Sequence, residues 1–349
     1  MSSRGERRTP EGGIRALDPF RDLKDVVDLI SLAFGDRLDP AGRATLERMR
    51  RFASSGPLMQ GLWALLGKAA MAPGLVWVSD GEIVGNVSVR RSRVGGGYLI
   101  GNVVVHPDYR GQGIGGALMR RVIKAVSRRG AGWVGLEVRA HNGVARSMYE
   151  GFSFREVGRT HHLIREGASS RGASSQGGWS RGDSRRERLR QDHAAMRRGG
   201  RRDADALVRL MKRVIPEEQR PLLEATADDY RPGWARRIDH WLRCEDEVWW
   251  VVPGDDQLRG AVRAAKRAGG LPHRLEALVT PSATQGLATA LVRRGLSTFA
   301  GSERLIASAV PDSEDSVLAA LRGEGFREVR VLIQMKRELK HRISVQRGH

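Results

Sequence analysis

The chain carries a long internal repeat. Phe154, Arg155, Glu156 and Val157 return as Phe326, Arg327, Glu328 and Val329, 172 positions later. The openings of the two copies correspond as well. "IRALDPFRDLKDVVDLI" near the N-terminus and "MRRGGRRDADALVRLM" from Met196 each read as a short strand, a turn, then apolar residues at helical spacing. A recurring element order confines the chain to two copies of one domain type, and 349 residues are enough for two cores. Between the copies, residues 166–192 are dominated by Gly, Ser and Arg with almost no branched aliphatics, the composition of a flexible tether. The expected division is a first domain over 1–165, a linker over 166–192 whose part from Ser184 could turn helical, and a second domain over 193–349.

Composition narrows the function. The formal charge of +20 is spread along the chain, and only seven of the 60 basic residues are Lys. Such an Arg bias follows from genome composition or growth temperature as readily as from binding. With aromatics at 5% and no zinc-finger or stacking motif, a nucleic-acid surface is not expected. A single cysteine, Cys244, excludes an intramolecular disulfide and offers no thiolate pair for a metal or redox site, so it reads as a small buried residue. No secretory h-region opens the chain. The longest apolar stretch, "GPLMQGLWALLGKAAMAPGL", is interrupted by Gln60, Lys68 and Pro73, short of the roughly 18 to 20 residues that cross a bilayer. It reads instead as an amphipathic helix covering a site. No membrane partner and a soluble, cytoplasmic location are the expectation.

In the first copy the pattern predicts helices over about Asp22–Phe34 and Pro40–Phe52, then three β-rich runs, "LVWVSD", "EIVGNVSVRR" and "GYLIGNVVV", as an antiparallel meander. Next come a glycine loop and a helix from Gly113 to about Arg129, with Ala117, Leu118, Val122, Ile123 and Val126 on one face. A strand "WVGLEVRA", a helix from Asn142 to about Glu150 and two short strands complete it. This is an α+β arrangement: a mixed, mostly antiparallel sheet flanked by helices, in each of two tandem domains.

The loop lies in "VVVHPDYRGQGIGGAL", residues 103–118. Gly111, Gly113 and Gly116 match the dinucleotide fingerprint G-x-G-x-x-G, with Glu137 about twenty residues on. Geometry argues against that reading, because "HPDYR" separates Val105 from the glycines, Glu137 is mid-strand, and three β-rich runs precede the motif. The same residues resemble the signature of the GNAT acetyltransferase superfamily, Q/R-x-x-G-x-G/A, with Arg110, Gly113 and Gly115 at its fixed positions. The resemblance implies acetyl-CoA as co-substrate, its pyrophosphate held by the backbone amides of about Gln112 to Gly116, including Ile114. Such amides at a helix N-terminus offer free donors and a favourable dipole to an anion. "GLEVRAHNGVARSMYEGFSF" resembles the family's second conserved region, matched by Asn142, Ala145 and Tyr149, while Ser153 stands where glycine is usual. In the family, this strand splays from the one ending near Val105, and backbone groups of Val103, Val104 and Val105 line the pantetheine gap, where an amide can polarise the thioester carbonyl.

Acetyl transfer to an amine needs a base for the nucleophile and an acid for the departing thiolate. "LEVRAHN", with Glu137 and Tyr149 twelve apart, resembles the ribosomal-protein alanine acetyltransferase (RimI) and archaeal N-terminal acetyltransferase branch. That resemblance implies Glu137 as general base and Tyr149 as general acid. Taken alone, Glu137 reads as a solvated strand residue and Tyr149 as a core-edge aromatic. His106, His141, His161 and His162 lack metal-ligand spacing, so no metal is expected. In the second copy, "HRLEALVTPSATQGLATALVRRGL" places Thr284 near Arg110 and keeps only Gly286. At the 172-residue offset, Tyr149 corresponds to Leu321 and Asn142 to Glu314. The expectation is an N-acetyltransferase with a catalytic first domain and a degenerate second domain that shapes the acceptor site or the association of chains. The acceptor, a protein N-terminus or a small-molecule amine, stays open, as does oligomerisation. The alternative of another class is a catalytically dead CoA sensor or scaffold.

Overall fold

The computed structural model describes residues 12–35, 40–54, 74–167, 196–232, 245–281, 283 and 285–339. The apolar stretch over 55–73, most of the linker, Cys244 and Thr284 lie outside the described residues.

The first copy begins with β1 (Gly12–Ala16), α1 (Leu23–Phe34) and α2 (Pro40–Ala53). Leu23, Val26, Val27 and Ile30 recur at helical spacing, and α1 buries this stripe with Leu46 of α2 against Val76 and Val104 of the sheet. Strands β2 (Gly74–Ser79), β3 (Glu82–Arg91) and β4 (Gly97–Val105) follow as an antiparallel meander. Helix α3 (Ile114–Arg128) buries Ile114, Leu118, Met119, Val122, Ile123 and Val126. It comes so close to the sheet that a Cβ at Gly85 would stand 2.9 Å from Ile114. Then β5 (Trp133–Arg139) pairs parallel with β4 before α4 (Gly143–Gly151) and β6 (Arg155–Arg165).

The second copy repeats this order. Strand β7 (Arg197–Arg198) and helices α5 (Ala204–Val214) and α6 (Arg220–Leu223) lead to β8 (Glu245–Pro253), β9 (Leu258–Arg267) and β10 (His273–Val279). Helix α7 (Gln285–Ser297), β11 (Ile306–Pro311), α8 (Asp315–Gly323) and β12 (Arg327–Glu338) close it. Again three antiparallel pairings precede one parallel pairing, between β10 and β11. The likeness reaches side chains. A bidentate Arg15–Asp22 pair (2.5 and 2.8 Å) braces the first β-to-α connection, and Arg197–Asp203 (2.9 and 2.6 Å) braces the second. Each guanidinium holds its carboxyl below the usual carboxylate range.

One expectation changes. Where two short closing strands are expected after α4, there is one, β6, of 11 residues. Gly158 lies within it. In the strand it leaves room for the Gln219 side chain, whose amide donates to the Val157 carbonyl at 3.3 Å. Two compact units are present: one comprises residues 1–137, 143–156 and 335–349, the other 138–142 and 157–334. Within the second unit β6 pairs antiparallel with β11, from Arg165↔Ile306 to Thr160↔Pro311. Within the first, the Leu339 amide donates to Gly132 at 2.8 Å and the Arg337 guanidinium to the Phe152 carbonyl at 2.7 Å. A closing strand follows whichever neighbour satisfies its backbone groups, and sequence order does not fix that choice.

Candidate functional site

The first unit opens a gap in its sheet. Strands β4 and β5 pair in parallel from Gly97↔Trp133 to Ile100↔Leu136 and no further, although β4 continues to Val105. Glu137 is the first β5 residue past the last pair, and it is exposed. On its other side β4 stays paired to β3, with a bulge: Asn86↔Val104 is followed by Ser88↔Gly101, so one residue of β3 faces two of β4. Asn102, within that bulge, has φ +50°. The side chains of Val103 and Val105 are half-buried, whereas Val104 packs into the core beneath α1. Only backbone groups of Val104 are left to serve the gap.

The strand then turns into the glycine loop. His106 accepts the Asp108 amide on Nδ1 at 3.3 Å, and Pro107–Tyr109 form one turn of 3-10 helix. Arg110 donates its Nε to the Val105 carbonyl, and Gln112 its Nε2 to the Asp108 carbonyl, each at 3.3 Å. Both side chains therefore brace the loop from within. Gly111 (φ +77°) and Gly113 (φ +82°) take left-handed backbone conformations with open space where a Cβ would stand. Gly113 caps α3 without a side chain, and the first helical bond is donated by Ala117 to its carbonyl at 2.9 Å. The amides of Ile114, Gly115 and Gly116 precede that bond, so they have no acceptor within the helix. This is the arrangement that receives an anion. Ile114 is buried and anchors the helix start. A Cβ on Gly115 would sit 3.7 Å from Val105 and 3.6 Å from Met148 of α4, ordinary contact distances.

Tyr149 stands on α4 with 6% exposure, its ring edge-on to Phe154 at 6.1 Å. Burial pushes its hydroxyl up to about 12, so it stays protonated and a donor through the neutral range. Asn142 is half-buried, and its amide donates to Arg139 at 2.9 Å; both belong to the second compact unit. The structure thus brings Val103–Val105, the loop Arg110–Gly116, Glu137 and Tyr149 into one unit. Asn142 falls in the other. Ser153, where the family pattern has glycine, lies at φ +62°, and the matching Gly325 of the second copy at φ +83°. The position needs a left-handed backbone whichever residue fills it. Among the described residues no three His, Cys, Asp or Glu side chains group as a metal site, and no helix is long and apolar enough to cross a membrane.

The second copy has the same parting of strands, β10 and β11 pairing only at His273↔Ile306 and Arg274↔Ala307. Here it is filled. Glu314, 5% exposed, accepts a hydrogen bond from the Val279 amide, and burial lifts its carboxyl to about 7. Val279 precedes Thr280–Pro281 as Val105 precedes His106–Pro107. Nearby, Arg263 of β9 and Glu276 of β10 stand opposite each other as a buried ion pair. Tyr230 donates its hydroxyl to Glu276 at 2.6 Å, and the Trp249 indole donates to Glu247 at 2.7 Å. Gly286 lies inside α7, and the described part of this loop has no left-handed glycine. Sequence reasoning marked Glu314 only as a lost asparagine. Flanked by Asp312, Ser313 and Asp315, it carries no local sign of burial in the sequence.

Comparison with known proteins bears on the whole arrangement. Residues 45–154 match the model of the acetyltransferase (GNAT) family. Over 56 residues the chain is 44% identical to the ribosomal protein bS18-alanine N-acetyltransferase of Escherichia coli, 16% of this chain and 38% of that protein. Over 81 residues it is 41% identical to an acetyltransferase of Sodalis glossinidius, 22% of this chain and 55% of that protein. The chain thus spans between 38% and 55% of the length of these curated relatives. Among solved structures, a GCN5-related N-acetyltransferase from Sphaerobacter thermophilus superposes with a TM-score of 0.60 at 16% identity, over 96% of this chain and 98% of that one. A tandem GNAT protein from the clavulanic acid biosynthesis pathway does so with 0.57 at 15% identity, over 95% and 99%. Both likenesses are of fold, and both run through the two copies. Family match, tandem fold and loop geometry agree: residues 45–154 carry the match to the acetyltransferase (GNAT) family, and the chain as a whole has the fold of tandem GNAT proteins.

Proposed function

We propose that the protein is an N-acetyltransferase that moves the acetyl group of acetyl-CoA to the terminal amine of a peptide, with the chemistry carried by the first copy. The observation that carries this reading is the parting of β4 and β5 directly above a loop of unpaired amides, with Glu137 at the parting. The amides of Gln112 to Gly116 hold the pyrophosphate, and the backbone of Val103–Val105 pairs with pantetheine as a neighbouring strand would. The amine nitrogen attacks the thioester carbonyl, forming the C–N bond. Its surplus proton passes to the Glu137 carboxylate, directly or through water. As the C–S bond breaks, the Tyr149 hydroxyl donates toward the leaving sulfur, a role suited to a phenol that remains protonated. A peptide amine is favoured by the relatives named for acetylating an alanine of a ribosomal protein. A small-molecule amine has one observation in its favour, the end-to-end fold likeness to a tandem GNAT protein from the clavulanic acid biosynthesis pathway.

The second copy is read as catalytically silent, kept to shape acceptor binding or association. Support comes from Glu314, buried on the Val279 amide where β10 and β11 have parted, and from the buried Arg263–Glu276 pair between β9 and β10. Acetyl-CoA turnover with peptides beginning in Ala, Ser or Met, beside a panel of amine metabolites, tests the proposal. Transfer to the peptide α-amine is expected. Absence of acetyl-CoA binding in calorimetry would overturn it, and turnover of metabolites alone would replace the acceptor class.

A further inference from the structure

The buried charges of the second copy surround a cation. Arg263 of β9 is 3% exposed and stands opposite Glu276 of β10 on one side and Trp249 of β8 on the other. Its guanidinium carbon is 5.2 Å from the centre of the Trp249 ring and 5.5 Å from that of Tyr230, and the two rings lie 6.0 Å apart. Nη2 donates to Glu276 Oε2, while Nη1 donates to the Asp229 carbonyl at 3.1 Å and lies 3.6 Å from Glu247 Oε2. Each carboxylate is itself held, Glu276 by the Tyr230 hydroxyl at 2.6 Å and by Arg274 at 3.3 Å, Glu247 by the Trp249 indole at 2.7 Å. Tyr230 and Trp249 belong in turn to the apolar cluster of Leu207, Met211 and Val251, which fixes the rings.

Two aromatic rings, two carboxylates and a carbonyl are the elements that recognise a guanidinium ion. The occupant is recognised only at its head. Among the described residues, Nε of Arg263, the atom that ties the head to the chain, is buried without a hydrogen-bond partner. A buried donor left unmade costs stability, and replacing a buried ion pair by apolar side chains of similar volume is often neutral or stabilising. Fold stability therefore does not account for the arrangement. The first copy shows that the framework does without it. Gly260↔Val279 matches Gly85↔Val105, so Arg263 corresponds to Ser88 and Trp249 to Gly74. Ser88 is half-buried and bonds to Asn86 and Asn102 at 3.4 Å each. Guanidinium and indole are thus present together in one copy and absent together in the other.

We propose that the second copy contains a binding site for a guanidinium-type cation, built from Tyr230, Trp249, Glu247, Glu276 and the Asp229 carbonyl, and that Arg263 closes it by occupying it as a tethered ligand. Removing the side chain beyond Cβ vacates the space before the rings and carboxylates and leaves the rest in place. A free alkylguanidinium then supplies the same charge and the same donors. In the intact protein Arg263 keeps cations from solution out of this site. The inference goes beyond acetyl transfer and does not depend on its assignment to the first copy.

The test compares the full chain with its Arg263→Ala variant by calorimetry and melting temperature, with ethylguanidinium as the probe and N-ethylurea as its neutral counterpart. Arg263→Ala should melt lower than the wild type, bind ethylguanidinium with a Kd on the order of 1 mM, and regain melting temperature in a saturable way as the probe is added. N-ethylurea should do neither, and the wild type should respond to neither compound. If Arg263→Ala does not fold alone, recovery of a cooperative melt with ethylguanidinium and not with N-ethylurea is the expected result. A second variant, Arg263→Ala with Glu276→Gln, leaves one buried charge fewer to be paired, and it should bind ethylguanidinium at least tenfold more weakly than Arg263→Ala does. Failure of ethylguanidinium to bind or restore Arg263→Ala overturns the proposal and returns Arg263 to a structural ion pair. So does an equal response to N-ethylurea, an equal affinity in the wild type, or an equal affinity in the double variant, each of which would place the probe outside the site.

Discussion

Replacing Glu314 by Gln should make the protein more stable in alkaline solution and leave it unchanged in acid. The carboxyl is pushed from its ordinary 4.5 up to about 7, mainly by burial, with nearby Asp315 adding to the effect and the Val279 amide opposing it. A group whose folded-state value exceeds its unfolded one favours folding fully below the unfolded value, and that contribution is lost as pH rises toward the folded value. The window is thus pH 4.5 to about 7. The difference between the two values corresponds to about 3 kcal/mol, and screening where the site meets solvent reduces it to about 2 kcal/mol. Gln keeps the acceptor for the Val279 amide but never ionises, so it stands in for the protonated acid. Urea unfolding of both proteins at pH 5 and pH 8 tests this. The variant should match the wild type within about 0.5 kcal/mol at pH 5 and exceed it by about 2 kcal/mol at pH 8. Parallel changes in both proteins between the two pH values would refute a buried carboxyl at Glu314, and with it the idea that this side chain fills the second copy's gap.

Other perturbations probe the first copy. Ser153→Gly should raise stability by about 0.5–1 kcal/mol in urea unfolding, because a serine at φ +62° carries the left-handed penalty that Gly325 avoids, partly offset by glycine's greater unfolded-state freedom. A loss of stability would mean that the serine side chain holds the turn. Gly113→Asp should abolish acetyl-CoA binding in calorimetry, since it sets a negative charge at an anion-receiving helix start and strains a backbone at φ +82°. Unchanged affinity would refute the phosphate assignment. Tyr149→Phe should lower turnover roughly 10- to 1000-fold with acetyl-CoA affinity nearly intact, and a full rate would return Tyr149 to a packing role against Phe154.

The sequence by itself determined the duplication, the order of elements in the first copy up to its closing strand, and the glycine loop. Each of these is written locally: apolar residues at helical or alternating spacing, and glycines at the two positions where the backbone turns left-handed, Gly111 and Gly113. It also contained the departure at Ser153, though not its conformational consequence. Tertiary structure decided the rest, because strand pairing and burial depend on neighbours far away in the chain. No local pattern announces that β4 carries an extra residue opposite Val87 or that β6 pairs with β11. Likewise, only packing turns Glu314 into a carboxyl on the Val279 amide and sets Arg263 against Glu276. Periodicity fixes which face a residue takes, but which backbone group or charge it meets there is set by the register of strands that the sequence keeps apart.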